Sequence, residues 1–172
     1  MAQFLRELGL RSGASGRLYV GGGSYMVLLG FRERTEDIDY TAEVDRDEDF
    51  IQTVRALMRE LDISAEPAGP GDFIPLPMGW RERSGFHGRF GGLDVFTFDP
   101  VSTALSKIAR GSQRDLDDSL RLVRERIVSV EALATGFEDV IGRLATESVR
   151  VDEADFRLKF TSFLAILAST QS

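Results

Sequence analysis

Apolar residues recur along this chain with two periods, and the switches between them outline its elements. Phe4, Leu5, Leu8 and Leu10 stand at helical spacing and predict a short opening helix. After the turn-rich stretch from Arg11 to Gly16, Arg17-Leu-Tyr-Val20 reads as a buried strand that runs directly into Gly21-Gly22-Gly23. Ser24 is then placed to cap a short helix through Tyr25–Leu29, which Gly30 ends. Ile38, Tyr40 and Ala42 alternate with Asp37, Asp39 and Thr41, as in a strand with one polar edge. Phe50, Val54, Leu57, Met58 and Leu61 return to the helical period and predict a helix over Asp47–Leu61.

From Ser64 to Gly85 the chain is rich in Pro and Gly and has no clear period, which predicts loops with one short strand. Phe86–Phe90 and Leu93–Phe98, joined by Gly91-Gly92, predict a β-hairpin. From Val101 to Ala168 the pattern is helical, as three or four helices broken near Gly111-Ser112, at Gly136 and around Arg150–Asp152. The expected class is α+β: a small mixed β-sheet flanked by helices over residues 1–100, with a helical part over 101–172 packed on it as a single compact unit.

Composition changes this picture little. A chain of 172 residues has room for one domain with a helical annex. The absence of cysteine excludes disulfide scaffolds and Cys-ligated metals, and it fits a reducing cytosol, so a cytoplasmic location is expected. The opening residues form a short amphipathic stretch rather than a signal peptide. No run approaches the roughly 18 apolar residues of a membrane span, so no membrane partner is expected. The net charge of −7 argues against non-specific nucleic-acid binding. That charge is uneven: Glu33 to Glu66 holds twelve acids against four arginines, while basic clusters stand at Arg81/Arg83/Arg89 and Lys107/Arg110/Arg114. The acidic stretch is either a solvated face or, in part, a cation site.

Three features carry candidate chemistry. A strand ending in three glycines before a helix lets backbone N–H groups approach a phosphate, although many such turns are purely structural. No Lys-Ser/Thr follows, so it is not a Walker A loop. Thirteen positions after Ser24 comes Asp37-Ile38-Asp39, whose two carboxylates share one side of a strand. Adjacent acids repel unless a cation lies between them, and oxygen-only ligands suit Mg²⁺ or Mn²⁺. Asp94 is the third, on a predicted inner strand with Phe96 and Phe98 on the same face, where a carboxylate needs a partner. A metal held with Asp37 and Asp39 would be one, and a backbone amide another. Lys107, Arg110, Gly111 and Arg114 stand at i, i+3, i+4 and i+7, one face of a helix wherever it continues through Gly111, and there they form a basic stripe suited to a triphosphate. His87 has no Ser or Cys partner for a triad, and Trp80 reads as packing before it reads as a base-stacking surface.

The run Tyr19–Ser24, then Thr35-Glu-Asp-Ile-Asp-Tyr40, then Leu93-Asp-Val-Phe96 resembles the minimal nucleotidyltransferases of the polymerase-β-like superfamily. With Lys107, Arg110 and the stretch Arg114-Asp-Leu-Asp-Asp118, it is similar to AbiEii-type toxins. The resemblance covers roughly residues 15–125. It implies the nucleotidyltransferase fold and transfer of NMP from an NTP to an acceptor hydroxyl, dependent on Mg²⁺ or Mn²⁺. Asp37, Asp39 and Asp94 would be metal ligands and catalytic residues. Gly22, Gly23, Ser24, Lys107 and Arg114 would bind the nucleotide, with Lys107 and Asp115 also catalytic. tRNA is the first acceptor implied, in a toxin–antitoxin system with a cognate antitoxin as partner. A small-molecule or protein acceptor stands beside it, as does a catalytically silent nucleotide-binding or interaction module.

Overall fold

The computed structural model describes residues 1–147 and 150–169. Ser148, Val149 and residues 170–172, all within the predicted helical part, lie outside the described residues. The chain forms two compact units. One comprises residues 1–69 and 84–98, and the other 70–83 and the chain from Asp99 onward.

The first unit is built on five strands: β1 (Gly16–Val20), β2 (Asp37–Val44), β3 (Ser64–Pro67), β4 (Gly85–Phe90) and β5 (Leu93–Thr97), in the order β3-β2-β1-β5-β4. The sheet is mixed, with β1 antiparallel to β2 but parallel to β5. Helices α1 (Ala2–Arg11) and α3 (Asp47–Leu61) supply Phe4, Leu5, Leu8, Phe50, Val54 and Leu57 to a core with Leu18, Val20, Ile38, Tyr40, Leu93 and Val95. Strand alternation therefore sends Tyr19, Asp37, Asp39, Asp94 and Phe96 to the opposite face of the sheet. There Tyr19 and Phe96 stack with ring centroids 5.4 Å apart. Leu10 leaves the predicted apolar stripe and is 65% exposed. It sits two residues after Leu8, on the far side of the helix.

The second unit holds α4 (Trp80–Arg83), α5 (Pro100–Arg110), α6 (Gln113–Arg124), α7 (Val130–Glu147) and α8 (Glu153–Ser169). Residues 70–83 join it rather than the sheet because polar groups tie them there. Arg143 donates to the Leu76 carbonyl at 2.8 Å, and Asp139 accepts from the Met78 N–H at 2.7 Å. In its core Phe137 stacks on Phe160, with ring centroids 4.0 Å apart, and meets Phe156 edge-on at 5.0 Å.

One predicted helix break is absent. Gly136 is not a break but lies inside α7, where its missing side chain admits a close neighbour. A Cβ there would stand 2.7 Å from Val101 Cγ1 and 3.2 Å from Leu105 Cδ1. The break falls instead between Arg124 and Val130. The basic stripe from Lys107 to Arg114 does not lie on one helix, because the break predicted near Gly111-Ser112 is present and divides it. Gly111 takes the left-handed conformation (φ 74°) and ends α5, and Ser112 caps α6 by accepting from the Asp115 N–H.

Burial separates two leucines of α1 that spacing treats alike. Leu8→Ala is expected to lower the stability of the first unit by about 2–4 kcal/mol, whereas Leu10→Ala should change it by less than about 0.5 kcal/mol. Urea unfolding of the two variants checks the contrast, and equal losses would contradict the placement of Leu10.

Candidate active site

The glycine turn stands where β1 ends. The Gly21 N–H donates to the Asp39 carbonyl at 2.9 Å, continuing the β1–β2 ladder one residue beyond Val20. Helix α2 (Gly22–Leu28) then begins, with Gly21 as its N-cap. Ser24 is therefore not the cap that the sequence predicts. It is buried in the first turn, and its hydroxyl donates to the Asp37 carbonyl at 3.0 Å, latching α2 to β2. Thr35 donates to the same carbonyl, also at 3.0 Å.

Gly22 is the residue that permits this approach. Its φ is +53°, and a Cβ there would overlap the Asp39 carboxylate. That carboxylate accepts from the Gly23 N–H at 3.3 Å. Asp37 and Asp39 thus lie on one face of β2, half-buried, beside a backbone turn with amide donors. Two such oxygen ligands fit Mg²⁺, which is commonly held by one or two carboxylates together with substrate phosphates. Among the described residues, no group of three or more His, Cys, Asp or Glu is placed to hold a metal ion.

Asp94 accordingly does not converge with the pair. It shares their face of the sheet, but the register sets it opposite Arg17, which in turn faces Glu43 on β2. Asp39 lies level with Gly21, four residues further along β1, a separation of roughly 13 Å at the rise of a strand. The partner that Asp94 needs is Arg89 on β4, whose fork donates at 2.6 and 2.9 Å. These hydrogen bonds from Arg89, with its charge, hold the Asp94 carboxyl below the ordinary carboxylate range.

In the second unit, α5 starts on Asp99, a buried carboxylate that accepts from the Val101 and Ser102 amides at 3.2 and 3.1 Å. Arg83 closes on it as a fork at 2.9 and 2.8 Å. The Asp-Pro pair, a helix-start signal, was the available clue to this residue. Lys107 is 5% exposed and donates to Asp118 at 2.7 Å and to Asp115 at 3.1 Å. Arg110 donates to Asp115 at 2.6 and 3.2 Å, and Ser112 does so at 2.7 Å. Burial opposes ionisation of Asp115, but its bonds from Arg110 and Ser112 and the charges of Lys107 and Arg110 outweigh burial and lower its pKa. Arg114 is exposed on α6. Within this charged cluster Asp118 makes the shorter of the two bonds to Lys107. Asp37, Asp39, Gly22, Gly23 and Ser24 come together in the first unit, and Lys107 and Asp115 in the second.

The remaining candidates are ordinary. His87 is exposed on β4 and stacks on Phe90 at 6.5 Å, and Arg81 lies 4.3 Å over the ring of Trp80.

Two outcomes follow from this geometry. Gly22→Ala should cost about 1–3 kcal/mol through its positive φ and its overlap with Asp39. Gly21→Ala, where an added Cβ meets nothing within 4 Å, should be nearly neutral; denaturant titration compares them. Because the Asp115 pKa is lowered on folding, the stability it contributes is present above its ordinary value near 3.8 and is lost as pH falls through the folded value. Asp115→Asn should therefore be less stable than the parent at pH 7, with the gap closing below about pH 4. Thermal midpoints across that range read the convergence, and a constant gap would contradict it.

Residues 2–163 match a family described as "Nucleotidyltransferase of unknown function (DUF6036)". No curated protein and no solved structure matches the chain. No helix among the described residues is long and apolar enough to cross a membrane. The match spans nearly the whole chain, over an α+β fold with a five-stranded mixed sheet flanked by helices, and the protein belongs to the DUF6036 nucleotidyltransferase family.

Proposed function

We propose that the protein transfers a nucleoside monophosphate from an NTP to an acceptor hydroxyl. The observation that carries this reading is the placement of Asp37 and Asp39 on one face of β2 directly beside the Gly21–Gly23 turn, with the Asp39 carboxylate on the Gly23 amide. In the reaction the acceptor oxygen forms a bond to the α-phosphorus, the bond to the β-phosphate oxygen breaks, pyrophosphate leaves and the hydroxyl proton is released.

Each residue has a part consistent with its surroundings. The Gly22–Gly23 backbone, which carries no side chain of its own, lies beside the phosphates. Ser24, being buried, holds the turn against β2 rather than touching the nucleotide. Asp37 and Asp39 hold Mg²⁺ or Mn²⁺, which when bound neutralises developing phosphate charge. Lys107 donates to Asp115 and Asp118 and so orders the buried charged cluster of the second unit. Asp115 positions that ammonium, and the exposed Arg114 offers a fork to an anion.

For the acceptor, a tRNA hydroxyl is the first reading, as in a toxin held in check by a cognate antitoxin. A second reading, a small-molecule or protein hydroxyl, is favoured by one observation. Arg83, Arg89, Lys107 and Arg110, four of the six residues in the two basic clusters, are each ion-paired within the chain, so their charge is largely cancelled locally.

Incubation with each α-³²P-NTP, Mg²⁺ and total RNA, and separately with protein and metabolite extracts, tests both parts. Asp37→Asn and Asp39→Asn should lower labelling by at least about a hundredfold with an unchanged thermal midpoint, and full labelling by either variant would refute the assignment. Label in a tRNA-sized, ribonuclease-sensitive product supports the first acceptor, and label in the other fractions supports the second.

A further inference from the structure

We propose that Arg32 is a phosphate-binding residue of the nucleotide site, an assignment that rests on the reading of that site given above. The segment between α2 and β2 folds back onto the glycine turn. A side chain at Gly23 would overlap the Thr35 hydroxyl and stand 3.7 Å from Arg32 Nη1, so these two residues wall the turn at the position where the backbone is bare. Thr35 is itself fixed, because its hydroxyl donates to the Asp37 carbonyl at 3.0 Å. That bond pins the segment three residues after Arg32 to the strand that bears the two acids.

The chemistry of the turn calls for a cation there. A triphosphate brings up to about four negative charges to a place that already holds Asp37 and Asp39, and a single divalent ion offsets only part of them. Arg32 is half-buried, where screening by water is reduced and a charge acts more strongly than at an exposed position. Lys107, to which the sequence assigns the phosphates, is closed off between Asp115 and Asp118 in its own unit. Arg32 is already engaged in the structure. Its guanidinium carries five N–H donors, enough to keep a protein contact and receive phosphate oxygens as well.

The test uses the full chain and inorganic tripolyphosphate with Mg²⁺, a probe that has no base to select, titrated by calorimetry. Arg32→Ala and Arg32→Gln should each weaken binding about tenfold, the loss of one charge-assisted hydrogen-bonded contact. Arg32→Lys should fall between these and the parent, and Arg55→Ala, an exposed arginine on α3, should bind as the parent does. Thermal midpoints accompany each variant, and if the alanine variant does not fold, the glutamine variant decides. Parent-like binding by a folded Arg32→Gln, or no binding by the parent, overturns the proposal. The two readings fail separately. If binding depends on Arg32 but the parent labels no acceptor, the transferase reading falls and the phosphate contact stands. If the parent labels an acceptor and Arg32→Gln leaves KM for the NTP unchanged, only the assignment of Arg32 falls.

Discussion

The close approach of Gly22 to the Asp39 carboxylate is the constraint on which the candidate site depends. A backbone at φ +53° with no Cβ lets the chain leave β1, turn through three glycines and enter α2 while Asp39 stays against the turn. Three further bonds hold that arrangement: Gly21 N–H to the Asp39 carbonyl, and the Ser24 and Thr35 hydroxyls to the Asp37 carbonyl. The carbonyls of both acidic residues are thereby spent on structure, and their carboxylates are left at the edge of a turn. Strand, turn and acid pair are one object, and a side chain at Gly22 would disturb all three.

The acids of this chain meet different surroundings, and that difference separates structural from candidate chemical roles. Asp99 is fully buried, and it stays there because a helix N-terminus and the Arg83 fork both answer its charge. Asp94 is answered by Arg89 across the hairpin. Asp115 and Asp118 share Lys107, a buried pairing in which removing any one member would leave an uncompensated charge. Asp37 and Asp39 lie side by side on a strand, next to amide donors and to the segment that carries Arg32. Acids in that setting are the ones for which a bound cation and its phosphate ligand make electrostatic sense.

Much of this was legible in the sequence by itself. Alternation around Ile38 and Tyr40 put both acids of Asp37-Ile38-Asp39 on one face, because the strand period of two is a local property of the backbone. The glycines before a short helix marked the turn, and the helical period marked α1 and α3. The same local rules placed Asp94 on the correct face of β5. Tertiary structure decided what lies beyond one element's reach. Face follows from parity along a strand, but position along the sheet follows from pairing register, and the parallel β1–β5 register carried Asp94 to the far end. Helical spacing aligned Lys107 with Arg114, yet the left-handed Gly111 broke that line and the packing of α5 on α6 gave Lys107 to two carboxylates. Arg32 and Thr35 had no periodic signature, since a connecting segment's contacts depend on where its ends are held. Local chemistry named the acids and the turn, and long-range packing, which no short-range period encodes, chose which of the charged residues stand together.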